Sequence, residues 1–560
     1  MIWSQNYDPL GNPWLSTLLA AAPVVVLLGC LGILQIRAHL AALAGLATAL
    51  VIAVVVFGMP AGLAVHAAAF GAAYGLLPIG WIVLNIIFLY QLTNERGQFE
   101  ILRNSIAGIT DDSRLQLLLI AFCFGAFFEG AAGFGTPVAV TGAMLIGLGF
   151  TRLQASGLSL IANTAPVAFG ALGTPIVTLA GVTDLPLLDL SAMIGRQMTL
   201  FSLIVPFWML IAYCGWRRTW EVWPAVLVAA VSFAATQLLI SNLHGPWLTS
   251  IGSALASIAV LVGFLRIWKP KRIMHVNEAP LSKGDERAPA SDATQTASMA
   301  ARPDARALRK AWLPWLILTA LVFLWGLPAV KDFLDGIFRM SIPIAGLDQL
   351  VQRVPPVVPV TAIEKAVYSL NLLSATGTAI LLAGIFGGLL LGATPLEIAK
   401  TYLRSLKIVA PSLLTIAAMM ALGYLTRYSG VDATLGLAFA MTGLLYPFFG
   451  TLLGWLGVAV TGSDTASNVL FGSLQKITSQ QLGLSSVLMA GANSSGGVMG
   501  KMIDAQSIVV ASTATRWYGN EGRILRYVFF HSIVLAALVG IVVLLMAYVP
   551  PFTLLVPGTH

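Results

Sequence analysis

Two acidic side chains lie within stretches of sequence that are otherwise apolar or rich in small residues. Glu129 lies in FCFGAFFEGAAGFGTP, residues 122–137, and Asp464 lies in TGSDTASNVLFGSL, residues 461–474. A carboxyl group inside hydrocarbon costs about 2.5–3.5 kcal/mol on insertion scales, so each should face protein or a water-filled cavity. Glycine and proline there free backbone groups that lipid cannot satisfy. We interpret each stretch as the tip of a re-entrant hairpin and as half of a binding site.

The chemistry that such a site favours is the binding of a small anion. Glycine-rich tips and the N-termini of half-helices present unpaired N–H groups and positive dipole ends, which suit a carboxylate. Burial favours the protonated form of a carboxyl group, and a protonated group no longer repels the incoming anion. Glu129 and Asp464 are therefore predicted to couple proton movement to anion movement. The same oxygen atoms could instead hold Na⁺.

The predicted substrate-binding residues surround the two acidic tips. They are glycines, hydroxyl and amide side chains, and one lysine: Gly133, Gly135, Thr136, Asn163, Thr164, Ser463, Thr465, Asn468, Asn493, Ser494 and Lys501. Lys501 and Arg196 are possible attractors of an anion, although such residues more often extend toward the membrane surface. The alternative to a binding site is a kinked helix pair with a structural Glu129, followed by a proline-kinked helix in which Asn163 bonds to a neighbour.

The composition indicates an all-α polytopic membrane protein. Of the 560 residues, 58% are hydrophobic and 10% are charged, whereas an ordinary soluble chain is about 25% charged. The apolar runs are long and continuous rather than alternating, so strands are not expected. The net charge of +8 comes with basic residues in short loops, as the positive-inside rule describes, and does not indicate nucleic-acid binding. Three cysteines without metal spacing argue against a disulfide framework or a metal centre.

The chain divides into two membrane halves, with about 12–14 spans at ~20 residues each. Residues 1–268 form the N-terminal half, with a hairpin near 115–150. Residues 269–310 are charged and without hydrophobic pattern, which predicts a cytoplasmic linker. Residues 311–560 form the C-terminal half, with a hairpin near 447–476.

The two halves repeat the same order of features. In the first half the acidic tip precedes ANTAPVAFGALGTP, within residues 154–181, where Pro166 and Pro175 should break a helix. In the second half the acidic tip precedes GANSSGGVMGKM, within residues 482–502, at a similar distance. The basic loops orient these two segments oppositely. This pattern predicts an inverted-topology repeat in which each half carries a re-entrant hairpin and a broken helix.

No enzyme constellation competes with this interpretation. The six histidines are scattered, and the chain has no HExxH or CxxC motif. The GFG and GALG strings lack the strand and the GK[ST] ending of a nucleotide-binding loop. We therefore expect neither enzymatic activity nor a cofactor nor a metal centre. The other classes that stay open are a Na⁺-coupled carboxylate transporter and a passive anion channel.

The stretches around the two acidic tips, together with several other strings, resemble the lactate permease family of bacterial inner-membrane transporters. The resemblance covers most of the chain outside the linker, and the matching strings include QNYDP, GQFEILRNSI, FCFGAFFEGAAGFGTPVAVTGAMLIGLGF, NTAPVAFGALGTPI, GRQ, SATGTAI, GWLGVAVTGSDTASNVLF and GGVMGKMI followed by QSI. It implies uptake of lactate, and often glycolate, in symport with protons across the inner membrane. It also implies kinship with an ion-transporter superfamily whose members use paired re-entrant hairpins. The partners are then a small monocarboxylate, protons and the lipid bilayer.

Four residues depart from the pattern of that family. Asp504-Ala505 stand where the family tends to carry Ser-Pro, which removes a helix breaker and adds a carboxylate near the second tip. Arg427 stands where asparagine is usual, and Thr136 stands where alanine is usual. These differences bear on substrate preference.

Overall fold

Long apolar helices make up most of the structure. A computed structural model describes residues 2–32, 34, 36–133, 135–280, 304–358, 360–517 and 520–558. Within these residues, twelve helical runs are long and apolar enough to cross a membrane: Pro13–Cys30, Ala38–Val56, Ala61–Glu95, Ser113–Ala131, Arg152–Thr183, Leu187–Cys214, Trp223–Leu243, Thr249–Ile267, Ala305–Gly326, Pro395–Ser429, Gly443–Thr461 and Glu521–Tyr548. The prediction of an all-α polytopic membrane protein is thereby confirmed.

The remaining helices are shorter. Most of them connect the long helices or complete the hairpins and broken helices: Gln98–Ala107, Thr136–Gly147, Trp216–Trp220, Pro328–Ile337, Thr376–Leu390, Val431–Ala440, Asp464–Gln481, Ser486–Gly500 and Ala505–Ala514. The greater part of the predicted linker, residues 281–303, lies outside the described residues. The division into residues 1–268, 269–310 and 311–560 stays a prediction.

Five short strands form two small sheets outside the helices, which the sequence did not predict. The strands are β1 Trp3–Ser4, β2 Met340–Pro343, β3 Val351–Arg353, β4 Ala362–Ile363 and β5 Val367–Leu370. β3 pairs in parallel with β1 and antiparallel with β4, and β2 pairs antiparallel with β5. The strands are too short, and their neighbouring residues too polar, to appear as apolar runs. Their hydrogen bonds nevertheless pair backbone groups in the long segment between the helices Pro328–Ile337 and Thr376–Leu390.

The two ends of the helix Ala305–Gly326 define two opposite faces of the molecule. Its N-terminal end adjoins the predicted linker, and its C-terminal end leads to the strands β2–β5. We call these the linker face and the sheet face. Twenty-two residues of helix span about 33 Å, enough to cross the hydrocarbon core of a membrane.

Two helical hairpins enter the molecule from these opposite faces. The first hairpin joins Ser113–Ala131 to Thr136–Gly147, and at its base the Ser113 N–H donates to Met274 O, at the start of the linker, at 2.9 Å. The second hairpin joins Tyr446–Thr461 to Asp464–Gln481. At its base the Gln481 amide donates to Pro356 O, on the sheet face, at 2.9 Å.

The hairpin tips turn at glycines in the left-handed conformation. Gly135 has φ +80° and Gly462 has φ +71°, values that side chains with a Cβ rarely adopt. Each glycine directly precedes the returning arm or its capping residue, so the chain reverses without a longer loop. The arms of the first hairpin are unequal, since one has 19 residues and the other has 12.

A broken helix follows each hairpin. In Arg152–Thr183 the break lies at residues 168–173, and Pro175 begins the second segment while Pro166 stays within a helical turn. In the second half the break separates Ser486–Gly500 from Ala505–Ala514. No proline is present there, but the Asp504 side chain accepts the Ser507 N–H at 2.7 Å and starts the new segment as an N-cap.

The hairpins and broken helices of the two halves pack reciprocally. The segment Thr174–Thr183 of the first broken helix contacts Asp464–Gln481 of the second hairpin. The segment Ala505–Ala514 of the second broken helix contacts Thr136–Gly147 of the first hairpin. Opposite entry and reciprocal packing are the arrangement expected for an inverted repeat.

Small residues allow close contact between the second hairpin and the second broken helix. A Cβ added at Gly454 would lie 2.0 Å from Asn493 O, and one added at Gly496 would lie 2.3 Å from Thr451 O. A Cβ at Gly500 would lie 2.3 Å from Trp455 O. The backbones therefore meet along a stripe of glycines, a common way of packing helices inside membranes.

Gly454→Ala is expected to lower the melting temperature of the detergent-solubilised protein by roughly a few degrees. The added methyl group would overlap Asn493 O, and such overpacking costs about 1–3 kcal/mol. The matched control is Gly62→Ala, because nothing lies within 4 Å of a Cβ at that helical position. Differential scanning fluorimetry of both variants checks the prediction. Equal melting temperatures for the two variants would contradict the close packing.

Candidate binding site

One cavity of about 180 Å³ lies where both hairpin tips and both helix breaks meet. Each of the four elements contributes to its wall: Glu129 from the first hairpin, Gly170 from the first broken helix, Asp464 from the second hairpin and Lys501 from the second broken helix. One water molecule needs about 10–15 Å³ by this measure, so the cavity has room for a small molecule.

The outer wall of the cavity is mainly apolar. It comes from helices that flank the hairpins, including Ile79 and Met419, with the hydroxyl groups of Ser412 and Thr415 as polar positions. Ala38 also lines the cavity, at the end of its helix nearest the linker face. The cavity therefore extends toward the linker face.

Asp464 is the first residue of the returning arm of the second hairpin, and its side chain is 4% exposed. Its Oδ2 accepts a hydrogen bond from Ser494 Oγ and another from Asn468 Nδ2 at 3.5 Å. Its Oδ1 has no hydrogen-bond partner among the residues that the structure describes. A Cβ at Gly497 would lie 2.6 Å from Oδ1, so this glycine makes room for the carboxyl group.

Glu129 lies near the end of the incoming arm of the first hairpin and is also 4% exposed. Asn163 lies next to its carboxyl group. In the described part of the chain, Glu129 Oε2 and both polar atoms of the Asn163 side chain lack a hydrogen-bond partner of regular geometry. Leaving buried polar groups unpaired costs about 1–3 kcal/mol each, so these atoms are placed to bind water or a ligand.

Lys501 supplies a positive charge to the cavity wall, and no other described lining residue is cationic. Its Nζ donates to Gly462 O at the second tip at 2.5 Å and lies 3.4 Å from Asp504 Oδ2. It also interacts electrostatically with both Glu129 and Asp464. The site thus combines two carboxyl groups with one ammonium group.

The structure brings some of the predicted site residues to the cavity and places others behind its wall. Those that line the cavity are Glu129, Gly133, Ser463, Asp464, Thr465 and Lys501. Those outside the lining are Gly135, Thr136, Asn163, Thr164, Asn468, Asn493 and Ser494. Several of the second group support the wall: Asn493 Nδ2 donates to Asn468 Oδ1 at 2.9 Å, and Asn468 Nδ2 donates to Pro175 O at 3.2 Å.

Two basic residues singled out in the sequence lie away from the cavity. Arg196 donates to Asn242 Oδ1 at 2.9 Å and to Leu555 O at 2.8 Å. Arg427 lies at the sheet face, where its Nη2 is 3.1 Å from Glu364 Oε2 and 3.4 Å from Asp184 Oδ2. These contacts pair both side chains with protein groups away from the cavity.

The cavity wall includes residues that the sequence analysis did not select as binding residues. Gly170 lies in the break of the first broken helix and Thr174 begins the segment after it, where Pro175 had signalled an interruption. Ser412 and Thr415 follow Pro411 within the long helix Pro395–Ser429. Gln506 follows the second break and carried no signal of its own.

Comparison with known proteins places this architecture in a family. The family profile described as L-lactate permease matches residues 16–550. The chain is 44% identical to the L-lactate permease of Bacillus subtilis, with 100% of each chain covered. It is 45% identical to the glycolate permease GlcA of Escherichia coli and 44% identical to the L-lactate permease of Salmonella typhi, with 98% of each chain covered in both cases.

Two solved transporter structures show a distant likeness. The antimetabolite efflux pump MtrF of Neisseria gonorrhoeae gives a TM-score of 0.46 at 13% identity, over 85% of this chain and 82% of that one. The Alcanivorax borkumensis YdaH transporter gives a TM-score of 0.44 at 15% identity, over 85% and 86% of the two chains. Scores this low carry no inference about function. The family match and the near full-length relatives are decisive: the chain belongs to the L-lactate permease family.

Proposed function

We propose that the protein is a secondary active transporter that imports lactate, together with glycolate or related 2-hydroxymonocarboxylates, by symport with protons. The observation that carries this proposal is the cavity in which two buried carboxyl groups and one lysine meet at both hairpin tips. The names of the relatives, L-lactate permease and glycolate permease, support the substrate class.

The cavity offers several groups for a substrate carboxylate. The Lys501 ammonium group provides the charge. The helices Asp464–Gln481 and Thr174–Thr183 both begin at the cavity, where Thr465 and Thr174 line the wall. Helix N-termini favour anions through their free N–H groups and positive dipole ends. A short organic acid can therefore bind in the cavity between the two halves.

Proton coupling follows from the charges that surround such an anion. Two ionised carboxylates beside the substrate would repel it, and the repulsion is strong in a site shielded from water. Protonation of Glu129 and Asp464 removes that repulsion, and their unpaired oxygens Oε2 and Oδ1 can carry the protons. Proton loading then precedes or accompanies anion binding, which is the condition for symport.

The orientation in the membrane follows the distribution of basic residues. The segment between the helices Thr249–Ile267 and Ala305–Gly326 begins KPKR and contains KGDER. The positive-inside rule favours the cytoplasm for such a segment. We therefore assign the linker face to the cytoplasm and the protein to the bacterial inner membrane, with its cavity extending inward.

Purified protein in proteoliposomes is expected to accumulate labelled L-lactate above equilibrium when the outside is made acidic. A protonophore should abolish this accumulation, unlabelled glycolate should compete, and replacement of Na⁺ by choline should change nothing. Protein-free liposomes control for passive entry of lactic acid. Uptake that only reaches equilibrium would indicate a passive channel, and uptake that requires Na⁺ would indicate sodium coupling.

Glu129→Gln is expected to reduce gradient-driven uptake roughly tenfold or more, the equivalent of about 1.4 kcal/mol, while lactate–lactate exchange continues. The amide keeps the shape of the side chain but cannot release a proton. Asp332→Asn, at an exposed carboxyl group on the sheet face, is the matched control and should behave as wild type. If both processes persist at wild-type rates in Glu129→Gln, the residue does not couple protons.

A further inference from the structure

We propose that Asp504 is a positioning residue for substrate binding, because it holds the Lys501 ammonium group at the cavity wall in the orientation that receives the substrate carboxylate. This inference rests on the proposed transport of a monocarboxylate and assigns a role to a side chain that itself lies outside the cavity. The two residues bracket the break in the second broken helix: Lys501 follows its first segment and Asp504 precedes its second.

The Asp504 carboxylate is fixed and fully buried. Its side chain is 0% exposed, and its Oδ1 accepts the Ser507 N–H at 2.7 Å. Its Oδ2 has no hydrogen-bond partner in the described part of the chain and lies 3.4 Å from Lys501 Nζ. An uncompensated buried carboxylate is strongly destabilising. The ammonium group of Lys501 is therefore the charge that stabilises Asp504 in this position.

The tip of the second hairpin packs onto the same pair. Gly462 O accepts a hydrogen bond from Lys501 Nζ at 2.5 Å. A Cβ at Gly462 would lie 2.9 Å from Asp504 Oδ1, so the tip backbone lies directly against the carboxylate. Lys501 is thus held from two sides, by the tip carbonyl and by Asp504.

These contacts leave part of the ammonium group available. A lysine ammonium group has three N–H donors. One points to Gly462 O and another faces Asp504, so the third remains for the cavity that Lys501 lines. A lysine side chain without these partners would be flexible and would lose conformational entropy on binding an anion. Contacts that already fix the side chain reduce this entropic cost of binding.

Asp504 also provides the carboxylate that neutralises the positive charge of Lys501. The ammonium group interacts electrostatically with Glu129 and Asp464 as well. Without Asp504 it would be drawn to these two groups and would stabilise their ionised forms. With Asp504 present, the positive charge has a permanent partner, and Glu129 and Asp464 stay free to bind and release protons.

The helix breaks of the two halves differ in charge, and this difference orients the bound substrate. The break in the first broken helix, residues 168–173, reads AFGALG and contains no ionisable side chain. The break in the second contains both Lys501 and Asp504. The carboxylate end of the substrate is therefore placed toward the second half, and the rest of the molecule extends toward the first.

A double-mutant cycle in proteoliposomes tests this role, with the KM for L-lactate as the readout. Lys501→Gln is expected to raise the KM about tenfold or more, and Asp504→Asn is expected to raise it several-fold, since the amide keeps the N-cap but loses the charge. The double variant should show the KM of Lys501→Gln alone, because Asp504 acts through Lys501. Arg404→Gln, which removes an exposed ion pair with Glu95 on the linker face, is the control and should keep the wild-type KM.

The outcomes separate this inference from the proposed function. If the wild-type protein does not transport lactate, the proposed function fails. If it does, a wild-type KM for Asp504→Asn overturns the positioning role, as does a double variant in which the two effects multiply. If Asp504→Asn alone does not elute as a single gel-filtration peak, the test uses the double variant, in which positions 501 and 504 are both neutral. Its KM must then equal that of Lys501→Gln, and a different KM overturns the inference.

Discussion

The structure depends on one constraint: polar groups that leave a helix inside an apolar protein must find partners within it. Each hairpin tip and each helix break exposes such groups, and lipid satisfies none of them. Placing all four interruptions around one cavity concentrates the unpaired groups where a ligand and water can reach them. The interruptions therefore create the candidate binding site, and the surrounding helices enclose it.

Reciprocal packing makes this arrangement stable. Each hairpin supports the outgoing segment of the other half's broken helix, as shown by the bond from Asn468 Nδ2 to Pro175 O. The glycine stripe at Gly454 and Gly496 then allows the second hairpin to approach its own broken helix closely. Neither half completes the cavity alone.

The sequence predicted the interruptions because each has a local cause. Glycine and proline beside a carboxyl group in an apolar run indicate a bend, and both acidic bends do lie at one cavity. The lining could not be predicted residue by residue, since successive residues of a helix point in different directions. Thr465 lines the cavity, whereas Asn468, one turn further along, supports the wall behind it. The role of Ser412 and Thr415 depends on how a distant helix packs, which a linear pattern does not contain.

Two further features of the backbone are explained by hydrogen bonds that the structure shows. The second broken helix has no proline after Ile503, and the Asp504 side chain starts its new segment there as an N-cap. The strands on the sheet face arise from pairing between residues far apart, such as Trp3 with Val351. The N-cap is a contact between residues three positions apart, whereas the strand pairing joins distant parts of the chain that no local pattern connects.

Substrate protection of a cysteine at the cavity tests the central claim most directly. Thr465→Cys would be introduced into a chain whose three native cysteines are replaced, and Thr442→Cys at an exposed position would serve as the reference. If both tips enclose the substrate, L-lactate should slow maleimide modification at residue 465 and leave residue 442 unaffected. Equal modification rates at residue 465 with and without saturating lactate would contradict a binding site between the two tips.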